Sequence, residues 1–82
     1  MRTVELQLDP REYTPEEILK VRERLKASQG VFAKLLGVSI KTLQAWEQGN
    51  NPPPPIARRL LDTIEHDPEP WEKILREAAA VS

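Results

Sequence analysis

The residues best suited to chemistry in this chain of 82 are amides and a lysine on one helix face. On a helical wheel at about 100° per residue, with Leu43 and Trp46 facing inward, Lys41, Ala45 and Gln48 fall on the far side, flanked by Thr42 and Gln44. The outer face is polar, uncharged or basic, with a small residue at its middle. Such a face suits the major groove of duplex DNA: lysine donates to guanine O6/N7, glutamine pairs with adenine, and alanine or isoleucine meets a thymine methyl. Groove-reading helices usually enter N-terminus first, so Ser39, Ile40, Lys41 and Thr42 are expected to lie deepest. Ile40 sits near the core edge of the wheel, yet its terminal position allows exposure. Gln29, at the start of the preceding helix, can bond a phosphate where free backbone N–H groups point the same way. Asn50 and Asn51, just past the reading helix, suit either a DNA contact or turn chemistry.

Other chemistries fail on inventory. There is no cysteine, and the single histidine, His66, falls at a helix end, where the dipole favours a cation. Paired carboxylates in an apolar setting and a glycine-rich phosphate loop are both missing. No metal, cofactor or enzymatic role is expected. No apolar run approaches the roughly 20 residues that span a membrane, and no signal-like segment follows Met1. The expectation is one small cytoplasmic domain. Net charge is −1, but its distribution is uneven. Residues 20–59 carry eight Lys/Arg and two Glu, a net +6, between ends of −3 (1–19) and −4 (60–82).

The elements that position the reading face follow from local signals. Residues 1–13 form an N-terminal arm: Val4, Leu6 and Leu8 alternate with Thr3, Glu5 and Gln7, a weak strand pattern. An isolated strand cannot satisfy its own backbone, so the arm is either disordered or paired with a copy or another protein. Residues 14–82 form the helical domain. Thr14-Pro15-Glu16-Glu17 starts a helix through a capping box and a proline at the first position. That helix should run to about Ala27, with Ile18, Val21, Arg22 and Leu25 on one face. Ser28 caps a second helix, Gln29–Leu36, whose inward stripe is Phe32, Ala33 and Leu36. Gly37 ends it, Val38 turns inward, and Ser39 caps a third, Ile40–Gln48, which Gly49 ends. The link of three residues forces a steep packing angle. Four prolines (52–55) stiffen the next connector. A fourth helix, 56 to about 65, turns Ile56, Ala57, Leu60, Leu61 and Ile64 inward. A fifth, from Asp67-Pro68 to about Ala79, carries Trp71, Ile74, Leu75 and Ala78. Its stripe either completes the core or forms a dimer surface.

Arg22 is out of place in an apolar stripe and needs a partner. Glu47 lies beside the core face of the third helix. The spacing predicts a partly buried ion pair tying the first helix to the third, structural and not catalytic.

The stretch SQGVFAKLLGVSIKTLQAWEQG (28–49) resembles the helix-turn-helix of the Cro/phage-repressor-like (XRE) family. The resemblance rests on Gln29, on the run Ala33, Gly37, Val38, Ser39, on the Glu-x-Gly ending, and on the pairing of Arg22 with Glu47. It covers about residues 14–66. It implies an all-α, five-helix lambda-repressor-like DNA-binding domain with a short N-terminal extended arm. It also implies a phosphate-clamping role for Gln29, base-reading positions at Ile40, Lys41 and Ala45 with Thr42 and Gln44 nearby, and a loop contact at Asn51. Ile40 departs from the polar residue usual there, and Gly30 from the usual helix former. The strings YTPEEI, TLQAWEQG and RRLLDTIEHDPE are similar to HigA-type and MqsA-type antitoxins. That likeness implies a dimeric repressor of its own operon, reading a palindromic operator, with a small basic RNase toxin as partner. The arm is then the candidate toxin contact. The alternative emphasis is an interaction protein whose main task is neutralising the toxin.

Overall fold

The computed structural model describes residues 10–81, with side chains through residue 78. They form five helices: α1 (Pro15–Arg24), α2 (Gln29–Leu36), α3 (Ile40–Gln48), α4 (Pro55–His66) and α5 (Glu69–Val81). No strand occurs among the described residues, and none of their helices is long and apolar enough to cross a membrane. The alternating segment at residues 4–8 lies outside them.

Side chains set the helix starts. Thr14 accepts the Glu17 N–H at 3.2 Å and Glu17 accepts the Thr14 N–H at 2.9 Å, a complete capping box. Ser28 caps α2 through the Val31 N–H at 3.2 Å, and Ser39 caps α3 through the Thr42 N–H at 3.1 Å. Pro55 begins α4 without a side-chain cap.

Three of the helix ends share one device. A left-handed residue turns the chain so that two N–H groups reach back to otherwise orphaned carbonyls. Gly37 (φ 76°) and Gly49 (φ 81°) serve α2 and α3. At the end of α1 the left-handed residue is Lys26, φ 56°. Its N–H reaches Glu23 O at 2.9 Å, and the Ala27 N–H reaches Arg22 O at 3.3 Å. The sequence carries this helix to about Ala27 because no glycine marks a stop, yet it ends at Arg24. The early stop swings Ala27 against the core and brings its carbonyl within 3.2 Å of Arg22 Nη1.

The core lies among α1, α2, α3 and α4. Ile18, Phe32, Leu43, Leu61 and Ile64 are fully buried, with Tyr13, Val21, Leu25, Ala33, Trp46 and Ala57 around them. Each fully buried aliphatic or phenyl side chain contributes about 1.5–3 kcal/mol. Leu36, Val38 and Leu60 are half-buried at its edge. One inward assignment fails, that of Ile56, and the stripe of α5 divides between core and surface. Ile56 is 79% exposed and Ile74 is 48% exposed. The five apolar residues of α4 span a wider arc than one seam can cover, and Ala57, Leu61 and Ile64 take it. On α5, Trp71 and Leu75 pack on the core while Ile74 and Ala78 face outward.

Residues 10–13, grouped with the arm by sequence, pack on the helical body. Tyr13 is buried, and its hydroxyl donates to Glu65 at 2.9 Å. Arg11 reaches Glu65 at 2.7 Å and Glu17 at 3.2 Å, with its guanidinium 3.9 Å above the Tyr13 ring. Arg58 holds the Pro10 carbonyl at 3.0 Å. Burial, then the bond to Glu65, pushes the Tyr13 phenol upward. The Arg11 hydrogen bond holds the Glu65 carboxyl below the usual carboxylate range. Pro53 is buried, and the proline run shares a groove with Tyr13 and Arg58.

Candidate nucleic-acid interface

α3 is anchored by Leu43 and Trp46, 0% and 4% exposed. With those two fixed, the opposite face has no freedom to rotate inward. Lys41 is exposed and takes no ion-pair partner among the described residues. Ala45 and Thr42 are half-buried. The Thr42 hydroxyl lies 2.9 Å from that of Ser39, so both help close the first turn as well as bordering the face. Ile40 is 44% exposed and leans over the start of α2. A Cβ added to Gly30 would meet the Ile40 side chain at 3.9 Å, an ordinary contact, so no clash forces glycine there.

Behind this face runs a chain of polar contacts linking three helices. Arg22 Nε donates to Glu47 Oε2 at 2.8 Å, and Arg22 Nη2 donates to Glu47 Oε1 at 3.3 Å. The pair is largely withdrawn from water, with side chains 18% and 8% exposed. The two-pronged geometry is the strong form of a guanidinium–carboxylate contact. Gln29 Nε2 donates to the same Glu47 Oε1 at 2.8 Å, and Gln44 Nε2 donates to Gln29 Oε1 at 3.2 Å. The series Arg22–Glu47–Gln29–Gln44 thus starts in the interior and ends beside the outer face.

That series changes the picture of Gln29. A phosphate clamp alone would leave its amide free, but here it bridges α2 to α3. One Nε2 hydrogen remains for an anion. Gln44 keeps its Oε1 and one Nε2 hydrogen, the acceptor and donor that a bidentate contact with adenine needs. The brace is invisible to local pattern, because Gln29 and Gln44 belong to different helices. At the other end of α3, Asn50 Nδ2 donates to Gln48 Oε1 at 3.3 Å. The Asn50 and Asn51 N–H groups reach Ala45 O at 2.9 and 3.4 Å. Both asparagines therefore serve the turn, and both side chains are exposed.

The positive excess of residues 20–59 is not gathered on this face. Arg22 is neutralised by Glu47, Arg58 is bound to the Pro10 carbonyl, and Lys20 and Arg24 border a groove with Glu65. Of those charges, Lys41 belongs to α3 itself.

Comparison with known proteins agrees with this fold. A family model described as a helix-turn-helix domain matches residues 19–72. The antitoxin HigA-2 of Vibrio cholerae serotype O1 is 45% identical over 56 residues, which is 68% of this chain and 54% of that protein. The antitoxin MqsA of Escherichia coli strain K12 is 33% identical over 55 residues, 67% of this chain and 42% of that protein. The chain spans about half the length of these curated relatives. With a match that takes in all of α2, α3 and α4, the chain belongs to the helix-turn-helix domain family, and its sequence is of the XRE-type, antitoxin-like kind.

Proposed function

We propose that this protein is a sequence-specific DNA-binding transcriptional repressor, non-enzymatic and cytoplasmic, acting as the antitoxin of a toxin–antitoxin operon. One observation carries the reading. The outer face of α3 offers Lys41, Ala45 and a Gln44 amide that Gln29 holds in a fixed orientation. In this account Lys41 and Gln44 read base edges, and Ile40 and Ala45 meet thymine methyls. Ser39, Thr42, Asn50 and Asn51 border the groove, and Gln29 adds a phosphate contact through its remaining hydrogen. Two copies, with reading helices about 34 Å apart, match a palindromic operator. The test is a gel shift and footprint on the duplex upstream of the protein's own gene. A protected palindrome with half-sites about one helical turn apart supports the proposal. Protection of a single half-site removes the dimer, and no preference over unrelated DNA removes the reader.

A second reading is favoured by the names of the two relatives, both antitoxins. In it the main task is to neutralise a small basic RNase, with the Val4–Leu8 segment or the acidic N-terminal region around it as the toxin contact. Deleting residues 1–9 should then abolish inhibition of the neighbouring gene's product and leave operator binding intact. Unchanged inhibition would eliminate the arm as the contact.

A further inference from the structure

The end of α1 holds a feature that the reading face does not use. Lys26 occupies a left-handed backbone conformation (φ 56°) where α2 and α3 each place a glycine. A non-glycine residue with positive φ is uncommon and carries strain, and such strain collects where a side chain serves a purpose. The Lys26 side chain borders a groove of about 330 Å³ formed by Arg24, Leu25, Lys26, Glu72, Leu75 and Arg76. Three cations and one carboxylate share it. None of Arg24, Lys26 and Arg76 takes an ion-pair partner among the described residues. One edge of the groove lies close to the start of α2. Lys26 is three residues before Gln29, a path of at most about 11 Å along the chain, and Gln29 holds Gln44.

We propose that Arg24, Lys26 and Arg76 form a second contact with the sugar–phosphate backbone of DNA, beyond the helix-turn-helix. The proposal rests on the DNA-reading function above. The chemistry is that of a phosphodiester: a diffuse anion, bound without base readout, by cations that displace condensed counterions. The contact adds affinity to every sequence alike. It supplies positive charge that α3, with Lys41 alone, lacks. The strained lysine is retained because glycine would end the helix equally well and bring no charge.

The simplest role for Lys26, a cation favoured by the C-terminal dipole of α1, makes a different prediction. Under that role, substitution lowers the melting temperature and leaves DNA binding unchanged. Under the phosphate contact, Lys26→Gly weakens DNA binding, and because glycine fits the left-handed backbone whatever the side chain's role, that loss is not one of folding. Lys26→Asn, which tolerates that backbone, serves as the second variant.

The experiment measures anisotropy on two labelled duplexes, the upstream operator and a scrambled one, from about 50 to 200 mM salt. Lys26→Gly, Lys26→Asn, Arg24→Gln and Arg76→Gln should each weaken both duplexes by the same factor. Each should also make the slope of log K against log salt shallower by about 0.9. Lys41→Ala should instead reduce the preference for the operator. Unchanged affinity and slope in both Lys26 variants, with the parent still binding the operator, would overturn this contact and spare the reader. A parent that binds neither duplex would overturn the reader and the contact together.

Discussion

At the residue scale, Lys41 and Gln44 have different supports, and their substitutions should behave differently. Lys41 is exposed and unpaired by any acid among the described residues, so under the proposed function its substitution reports the DNA contact alone. Lys41→Ala should cost about 1–3 kcal/mol of operator affinity and relax the preference at one base pair, read by binding to operators varied there. An unchanged preference would remove Lys41 from the reading set. Gln44 depends on Gln29 for its orientation. In a double-mutant cycle, Gln29→Ala and Gln44→Ala should therefore couple by about 0.5 kcal/mol or more in operator binding. Additive losses would mean that Gln29 touches phosphate without bracing its neighbour. The types of these residues were legible from the wheel. The brace was not, because nothing local to either helix registers a contact 15 positions away.

At the element scale, the junction of α1 and α3 is the structural hinge of the account. Glu47 is 8% exposed and receives both Arg22 and Gln29. Removing it strands a guanidinium in a largely dry site, at a cost of about 3 kcal/mol. Glu47→Ala should lower the melting temperature by more than about 10 °C, given roughly 4–8 °C per kcal/mol for a domain of this size. Gln48→Ala, on the exposed end of the same helix, should change it little. Equal shifts would show that the ion pair adds nothing to the fold. Helix starts were readable because Thr14, Ser28 and Ser39 carry their own hydrogen-bond chemistry, and Gly37 and Gly49 marked two stops. The end of α1 was not readable, since a lysine in a left-handed turn leaves no signature in sequence. Ile56 was misplaced because a wheel ranks directions but does not know how wide the neighbouring surface is.

At the scale of the whole molecule, two long-range features organise the domain. The first ties residues 10–13 to both ends of α4, through contacts of Arg58 and Glu65 spanning 48 to 54 positions. Those contacts fix Pro10, the first described residue, on the body. Glu65 is at their centre, its carboxyl held low chiefly by Arg11. A carboxylate whose folded pKa lies below its unfolded value stabilises the fold above the unfolded value. It loses that contribution as pH falls through the folded one. Stability of the parent should thus decline below the ordinary glutamate value of about 4.3, and Glu65→Gln should flatten part of that decline in acid melts. An identical pH profile would show the contact to be without consequence. The second feature is charge. The chain is acidic overall, and among the described residues Lys41 lies on α3, Arg24, Lys26 and Arg76 border the groove at the end of α1, and Arg22 is held in an internal pair. One titration decides whether α3 reads sequence. Binding of the protein to its own upstream duplex is compared with a scrambled duplex of equal length at physiological salt. A sequence-reading α3 gives a preference of about 10³ or more, cut roughly 5- to 150-fold by Lys41→Ala. Equal affinity for the two duplexes would contradict it.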